Sequence, residues 1–186
     1  EMRLYPNGQL AGHILGGTTF GAQGVHSAEV IGMAGLEKAF DTFLRDPRFD
    51  GQPLQLSIDL TVQSALEEAL YGGMRLMNAK GASAVLMDAY SGEVVSLSSL
   101  PDFDPNNRPR PLTQGDASDS ALFNRAVQGV YELGSAFKAF TVAQAMDLGL
   151  VEPGSMVDTK GPLRWGKHKI NDYRDYGAQM SVEKVL

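Results

Sequence analysis

The sequence predicts an α+β fold, and three observations predict it. Apolar residues recur at helical spacing between Thr61 and Met77, at Val62, Leu66, Ala69, Leu70, Met74 and Met77. Two short apolar runs, Ala82 to Met87 and Glu93 to Leu97, flank Asp88-Ala89-Tyr90-Ser91-Gly92, the pattern of two strands joined by a turn. A third segment runs from Ser135 past Met146 with no breaker before Gly149. It reads as a helix that starts near Ser135, ends at Gly149 and is kept from resuming by Pro153.

The remaining elements follow in order. Residues 1–52 are glycine-rich, with Gly12, Gly16, Gly17, Gly21, Gly24, Gly32 and Gly35, which predicts turns and short strands. Leu36 to Leu44 reads as one helix ended near Pro47. Asp59 stands where its carboxylate would accept the free amides of the helix that follows. Gly92 supplies the positive φ of the hairpin turn. Pro101, Pro105, Pro109 and Pro111 make Leu100 to Asp119 a loop. Beyond Pro153, Lys160, Arg164, Lys167, Lys169 and Arg174 surround Trp165 and His168. This basic segment would suit an anionic lipid-linked substrate or a membrane surface. The interspersed Asp158, Asp172 and Asp175 favour a solvated loop, with His168 on the surface rather than acting as a base.

Composition narrows the function classes. The 186 residues are 43% hydrophobic and 20% charged, and a domain of about 150 residues buries roughly 70% of its unfolded surface. A net charge of −6 gives no electrostatic footprint for nucleic acid. There is no cysteine, hence no disulfide or thiolate metal site. His13, His26 and His168 are scattered without ligand spacing, and no cofactor is implied. No apolar run approaches the ~20 residues of a membrane span. The chain opens on Glu1-Met2-Arg3, like sequence from within a longer protein.

The chemistry is concentrated in Gly134-Ser135-Ala136-Phe137-Lys138. Positions i and i+3 of a helix share a face, so Lys138 would stand beside Ser135 as an amine able to activate a hydroxyl nucleophile. Serine is also a favoured N-cap, and the spacing alone favours a capped helix. A capping box, however, wants Glu or Gln three residues on. Here that place holds a cation at the positive end of the helix dipole, a poor choice for stability and a good one for keeping an amine unprotonated. Bringing a lysine from about 10.4 to roughly 7 needs about 4 kcal/mol. A helix terminus supplies only about 0.3–1 kcal/mol, so desolvation by neighbours such as Phe137 and Phe140, or a nearby cation, would have to supply the rest.

From Asn124 to Thr141 the chain reads Asn-Arg-Ala-Val-Gln-Gly-Val-Tyr-Glu-Leu-Gly-Ser-Ala-Phe-Lys-Ala-Phe-Thr. It closely resembles the active-site region of the class B penicillin-binding proteins, the transpeptidases that cross-link bacterial peptidoglycan. Ala136 replaces the family's usual threonine. Met87 to Val95, Leu100 to Asn106 and Leu56 to Gln63 resemble further stretches of the same domain. Arg3-Leu4-Tyr5-Pro6 with His13 and Gly16, then Gly35-Leu36-Glu37, resembles the pedestal that precedes it. Tyr131-Glu132-Leu133-Gly134-Ser135, Gly161 to Gly166 and Ile170 to Tyr173 look more like the septal, cell-division enzyme than its elongation relative.

The resemblance implies an antiparallel sheet with helices on both faces. Residues 1–52 would be a small β-rich pedestal and 53–186 the N-terminal part of the transpeptidase domain. It implies Ser135 as nucleophile and Lys138 as general base, with D-Ala–D-Ala stem peptides and β-lactams as ligands. Divisome membrane proteins, among them a glycosyltransferase, would be partners. The setting would be the periplasmic side of the inner membrane, held by an upstream transmembrane anchor. The family's later Ser-x-Asn and Lys-Thr-Gly motifs are not in the sequence. The expectation is an incomplete domain that leaves apolar surface and a sheet edge open and is inactive alone. A β-lactam-sensing receptor domain and a non-catalytic divisome scaffold are the alternatives. The pedestal-like segment argues against the sensor.

Overall fold

Glycine-rich sequence at the N-terminus becomes one helical turn and a hairpin in the computed structural model, which describes residues 3–22, 28–49 and 51–186. Helix α1 (Gly12–Leu15) is followed by strands β1 (Gly17–Ala22) and β2 (Ala28–Ala34), paired antiparallel. Gly24 and His26 lie outside the described residues. The helix expected over Leu36 to Leu44 is two short ones, α2 (Gly35–Ala39) and α3 (Asp41–Arg45), broken at Phe40 with φ −113° and ψ 20°. Asp41 is committed elsewhere: its carboxylate accepts the Gly32 amide of β2 at 2.8 Å and Arg45 Nη1 at 3.0 Å. The bond from the Gly32 amide, ahead of the Arg45 contact, holds this carboxyl below its usual range.

Helix α4 (Leu60–Leu76) begins where Asp59 accepts the Thr61 and Val62 amides at 2.8 and 3.0 Å. Val62, Leu66, Leu70 and Met74 are half-buried as the periodicity requires, whereas Ala69 and Met77 face solvent. Strands β3 (Ala82–Met87) and β4 (Val94–Leu100) form the expected hairpin, with a bulge between Leu86 and Met87. Its turn is organised by Asp88, whose carboxylate accepts the Tyr90 and Ser91 amides at 2.9 and 2.7 Å, and by Gly92 at φ 76°. β4 continues three residues beyond the expected Leu97. Small buried Ser98 and Ser99 and buried Leu100 carry the ladder on where an apolar pattern is no longer visible.

The two halves of this stretch are welded together by hydrogen bonds. The Tyr5 amide donates to Asn106 Oδ1 at 3.0 Å, and Asn106 Nδ2 donates to the Tyr5 carbonyl at 2.8 Å. The Ala11 amide donates to Glu67 of α4 at 3.1 Å. Between Leu100 and Asp119 the chain is irregular as expected, apart from 3₁₀ turns at Pro105–Asn107 and Ala117–Asp119, each capped by an aspartate. Helix α5 (Arg125–Gln128) follows, and its Arg125 is buried: the side chain donates to the Phe123 and Ser118 carbonyls, and the amide donates to Ser99 Oγ at 2.9 Å. Tyr5, Ala11, Val30, Leu100 and Phe103 form the apolar centre of this unit, which spans Glu1–Gly129.

The second unit is Val130–Leu186. Helix α6 (Lys138–Asp147) ends as predicted. Gly149 at φ 67° donates to the Met146 carbonyl, and the Leu150 amide reaches back to Ala145, both at 2.9 Å, the paired bonds of a Schellman end. Strand β5 (Met156–Asp158) pairs with β8 (Gln179–Ser181). The segment expected as a solvated basic loop is a hairpin of β6 (Leu163–Trp165) and β7 (His168–Ile170), turning through Gly166 at φ 56°. Leu163 and Trp165 alternate with Arg164, as Ile170 and His168 do with Lys169. The run of cations hid that period of two. His168 is exposed, as expected. Helix α7 (Val182–Val185) closes the unit. Among the described residues no helix is long and apolar enough to cross a membrane. Helices and antiparallel pairs together make the α+β class.

Candidate active site

Ser135 and Lys138 lie at one junction of the second unit. Gly134, at φ 56°, turns the chain into a 3₁₀ turn, Gly134–Phe137, and α6 begins at Lys138 rather than near Ser135. The Lys138 amide donates to the Ser135 carbonyl, the i to i+3 bond of a 3₁₀ turn. That geometry superposes i and i+3 more closely than an α-helix does, so the two side chains leave the backbone on one side. Neither the 3₁₀ turn, preceded by Leu133, nor α6, preceded by Phe137, has a side-chain cap. The Ser135 hydroxyl is therefore not spent on capping, and the capped-helix reading of the spacing does not hold.

The shielding expected from the two phenylalanines is not supplied by them. Phe137 and Phe140 are 57% and 65% exposed, with ring centroids 5.8 Å apart, leaning on one another. Every residue from Tyr131 to Phe140 is exposed, Ser135 and Lys138 included. A concavity in this unit opens at the base of the β6–β7 hairpin, between Thr159, Pro162, Asn171 and Tyr176, and its lining includes neither residue of the pair. No group of three or more metal-ligating side chains occurs among the described residues.

The polar residues that hold the first unit together escaped the sequence reading. Gln63 is fully buried. Its Nε2 donates to Glu67 at 2.7 Å and to the Leu97 carbonyl at 2.8 Å; its Oε1 accepts from Ser96 Oγ at 2.7 Å and from the Leu97 amide at 3.0 Å. The only available signal was a glutamine interrupting the apolar face of α4. Asn124 and Arg125, quoted within the motif, turn out to have local work: Asn124 caps α5 by accepting the Ala126 amide at 3.1 Å. Gly81 leaves room for the Arg125 head, which a Cβ would strike.

The sequence model of the penicillin binding protein transpeptidase domain matches residues 82–186, a stretch that contains Ser135 and Lys138. The chain is 37% identical to the probable peptidoglycan D,D-transpeptidase FtsI of Caulobacter vibrioides, over 100% of this chain and 29% of that protein. It is 30% identical to the peptidoglycan D,D-transpeptidase FtsI of Escherichia coli K12, over 99% of this chain and 32% of the relative. With the probable peptidoglycan D,D-transpeptidase PenA of Neisseria gonorrhoeae it shares 31% identity over 94% of its length and 32% of the relative's. The chain thus spans about a third of the length of these curated relatives. By the matched domain and by these identities, the chain belongs to the penicillin-binding-protein transpeptidase family, as a class B member of the FtsI and PenA kind.

Proposed function

We propose that this chain carries the nucleophile of a serine-type peptidoglycan D,D-transpeptidase, with Ser135 and Lys138 as its reacting pair. The observation that supports the reading most is the 3₁₀ turn carrying Ser135, which leaves its hydroxyl free of a capping role and is followed at once by Lys138 as the first residue of α6, three positions on. Ser135 Oγ attacks the carbonyl of a D-Ala–D-Ala bond as Lys138 Nζ takes the hydroxyl proton. The resulting oxyanion is met by backbone amides, that of Ser135 among them. The C–N bond then breaks and D-Ala leaves with the proton from Lys138. The amine of a second stem attacks the ester, the bond to Ser135 breaks, and the serine regains its proton. A β-lactam opens at the same hydroxyl and stays as the ester.

The wider setting belongs to the same proposal: residues 1–52 as pedestal, 53–186 as part of the catalytic domain, and septal cross-linking beside divisome proteins and a glycosyltransferase. So does placement on the periplasmic side of the inner membrane. A general base working near neutral pH needs walls that exclude water, and Lys138 is exposed. The 186 residues by themselves therefore turn over D-Ala–D-Ala substrates little or not at all, and measurable turnover would overturn that statement. The reading is tested with a labelled β-lactam and intact-mass measurement, on this chain and on one extended through Ser-x-Asn and Lys-Thr-Gly motifs. The extended chain gains one adduct, and Ser135→Ala removes it. An extended chain that stays unlabelled favours a non-catalytic scaffold.

A further inference from the structure

We propose that His13 is a protonation-sensitive latch holding the N-terminal turn α1 on the loop that leaves β4. The contact is built from both sides. Gly12 lies so close to the Phe103 carbonyl that any Cβ would collide with it. The His13 ring stands edge-on to Phe103, with centroids 5.1 Å apart and planes at 82°. Arg108 covers the same phenyl ring, its guanidinium carbon 5.6 Å from the centroid. Phe103 itself is only 4% exposed.

This packing fixes which form of the imidazole fits. One ring nitrogen donates to the Pro101 carbonyl. Nε2 is buried and has no hydrogen-bond partner among the described residues, so the donor is Nδ1–H. A neutral ring leaves an unpaired lone pair at Nε2. A protonated ring places a buried N–H and a full charge there, which costs more. The surrounding charges point the same way. The loop contributes Arg108 and Asp102, and α5 contributes Arg125; the two arginines oppose a third cation. Asp102 is half-buried, and its own carboxyl is pushed up by burial, so it is a weak counter-charge. From α4, Glu67 is occupied with the Ala11 amide and Gln63. From α2, Glu37 is occupied with Tyr5 and Arg3. β4 contributes no charged residue. Burial first, then the two arginines, lower the affinity of His13 for a proton against the single bond to Pro101.

The sign follows. With its folded pKa lowered, His13 is neutral in both docked and undocked forms above the ordinary imidazole range. As pH falls below about 6.5, the undocked form takes up a proton that the docked form resists, so docking weakens progressively. The test is hydrogen exchange by mass spectrometry on the full-length protein, comparing about pH 7.5 with about pH 5.5 after normalising for intrinsic rates. Peptides spanning residues 11–16 and 101–108 are expected to lose protection severalfold at the lower pH. His13→Asn keeps a side-chain N–H near the Nδ1 position and cannot titrate, so its protection should be equal at both. Protection in the wild type that does not change with pH, or a response that survives in His13→Asn, overturns the proposal. If that variant does not fold, C2–H exchange of His13 in the wild type decides alone: a midpoint below 6.5 is required, and one at or above it refutes the latch.

Discussion

Gln63 occupies a position where helical periodicity asks for an apolar side chain, and the structure buries it completely. Its amide uses both donor hydrogens and both acceptor lone pairs, so nothing of its polarity is left unpaid. It thereby joins α4 to β4, and through Glu67 it reaches the Ala11 amide of the N-terminal segment. Gln63→Leu keeps the volume but strands the buried Ser96 hydroxyl and both backbone groups of half-buried Leu97. Each buried unpaired group costs about 1–3 kcal/mol, so the variant should lose at least about 2 kcal/mol in chemical denaturation. A change below about 0.5 kcal/mol, the ordinary scatter of surface substitutions, would show that the network contributes nothing. The one mark it left in the sequence, a glutamine on an apolar face, is easily passed over, because apolar periodicity scores a buried glutamine as a defect. Ser135 and Lys138 drew attention as candidates for the opposite reason: reactive side chains at a fixed spacing stand out in a sequence, while a satisfied core amide does not.

Among the elements, α4 and the β3–β4 hairpin were readable nearly to their ends, since local chemistry fixes those ends: an aspartate cap, an Asp88 turn and a positive-φ glycine. Where tertiary partners decided the outcome, the reading strayed. Asp41 left a continuous helix to bind the Gly32 amide, buried serines prolonged β4, and alternate residues of a basic segment paired into β6–β7. The 3₁₀ turn before α6 is a further case, since periods of 3 and 3.6 cannot be told apart over four residues. The cap of α4 gives a prediction at this scale. Asp59→Ala removes an acceptor for two amides and should cost about 1 kcal/mol. Asp59→Asn retains a capping oxygen and should cost only a few tenths of a kcal/mol, because asparagine caps about as well as aspartate. Equal losses for both variants in urea melts would assign the effect to charge at the helix terminus instead.

At the scale of the whole molecule the surface area is the informative quantity. A closed protein of 20.0 kDa exposes about 8,700 Å², and two separately closed units of these sizes would expose about 10,300 Å². The chain exposes 14125 Å². Much of the excess is apolar: Val85, Leu86 and Met87 on β3, Phe137, Phe140, Leu148 and Leu150 around α6, and Leu163, Trp165 and Ile170 on the β6–β7 hairpin are all more than 40% exposed. Apolar surface of this extent facing water seeks cover, whether from further polypeptide or from another copy. Among the described residues, the unpaired edges of four separate two-stranded sheets add backbone groups that also seek partners. The 186-residue chain should therefore self-associate at micromolar concentration and enhance the fluorescence of an apolar-surface dye. Light scattering after size exclusion reads the first, and dye titration reads the second. A chain extended through the two later motifs should lose most of the dye signal, because the added strands and helices take the place of solvent. A monodisperse monomer that leaves the dye dark would mean that these faces close upon themselves in solution. The exposure of Ser135 and Lys138 would then no longer explain an inactive chain.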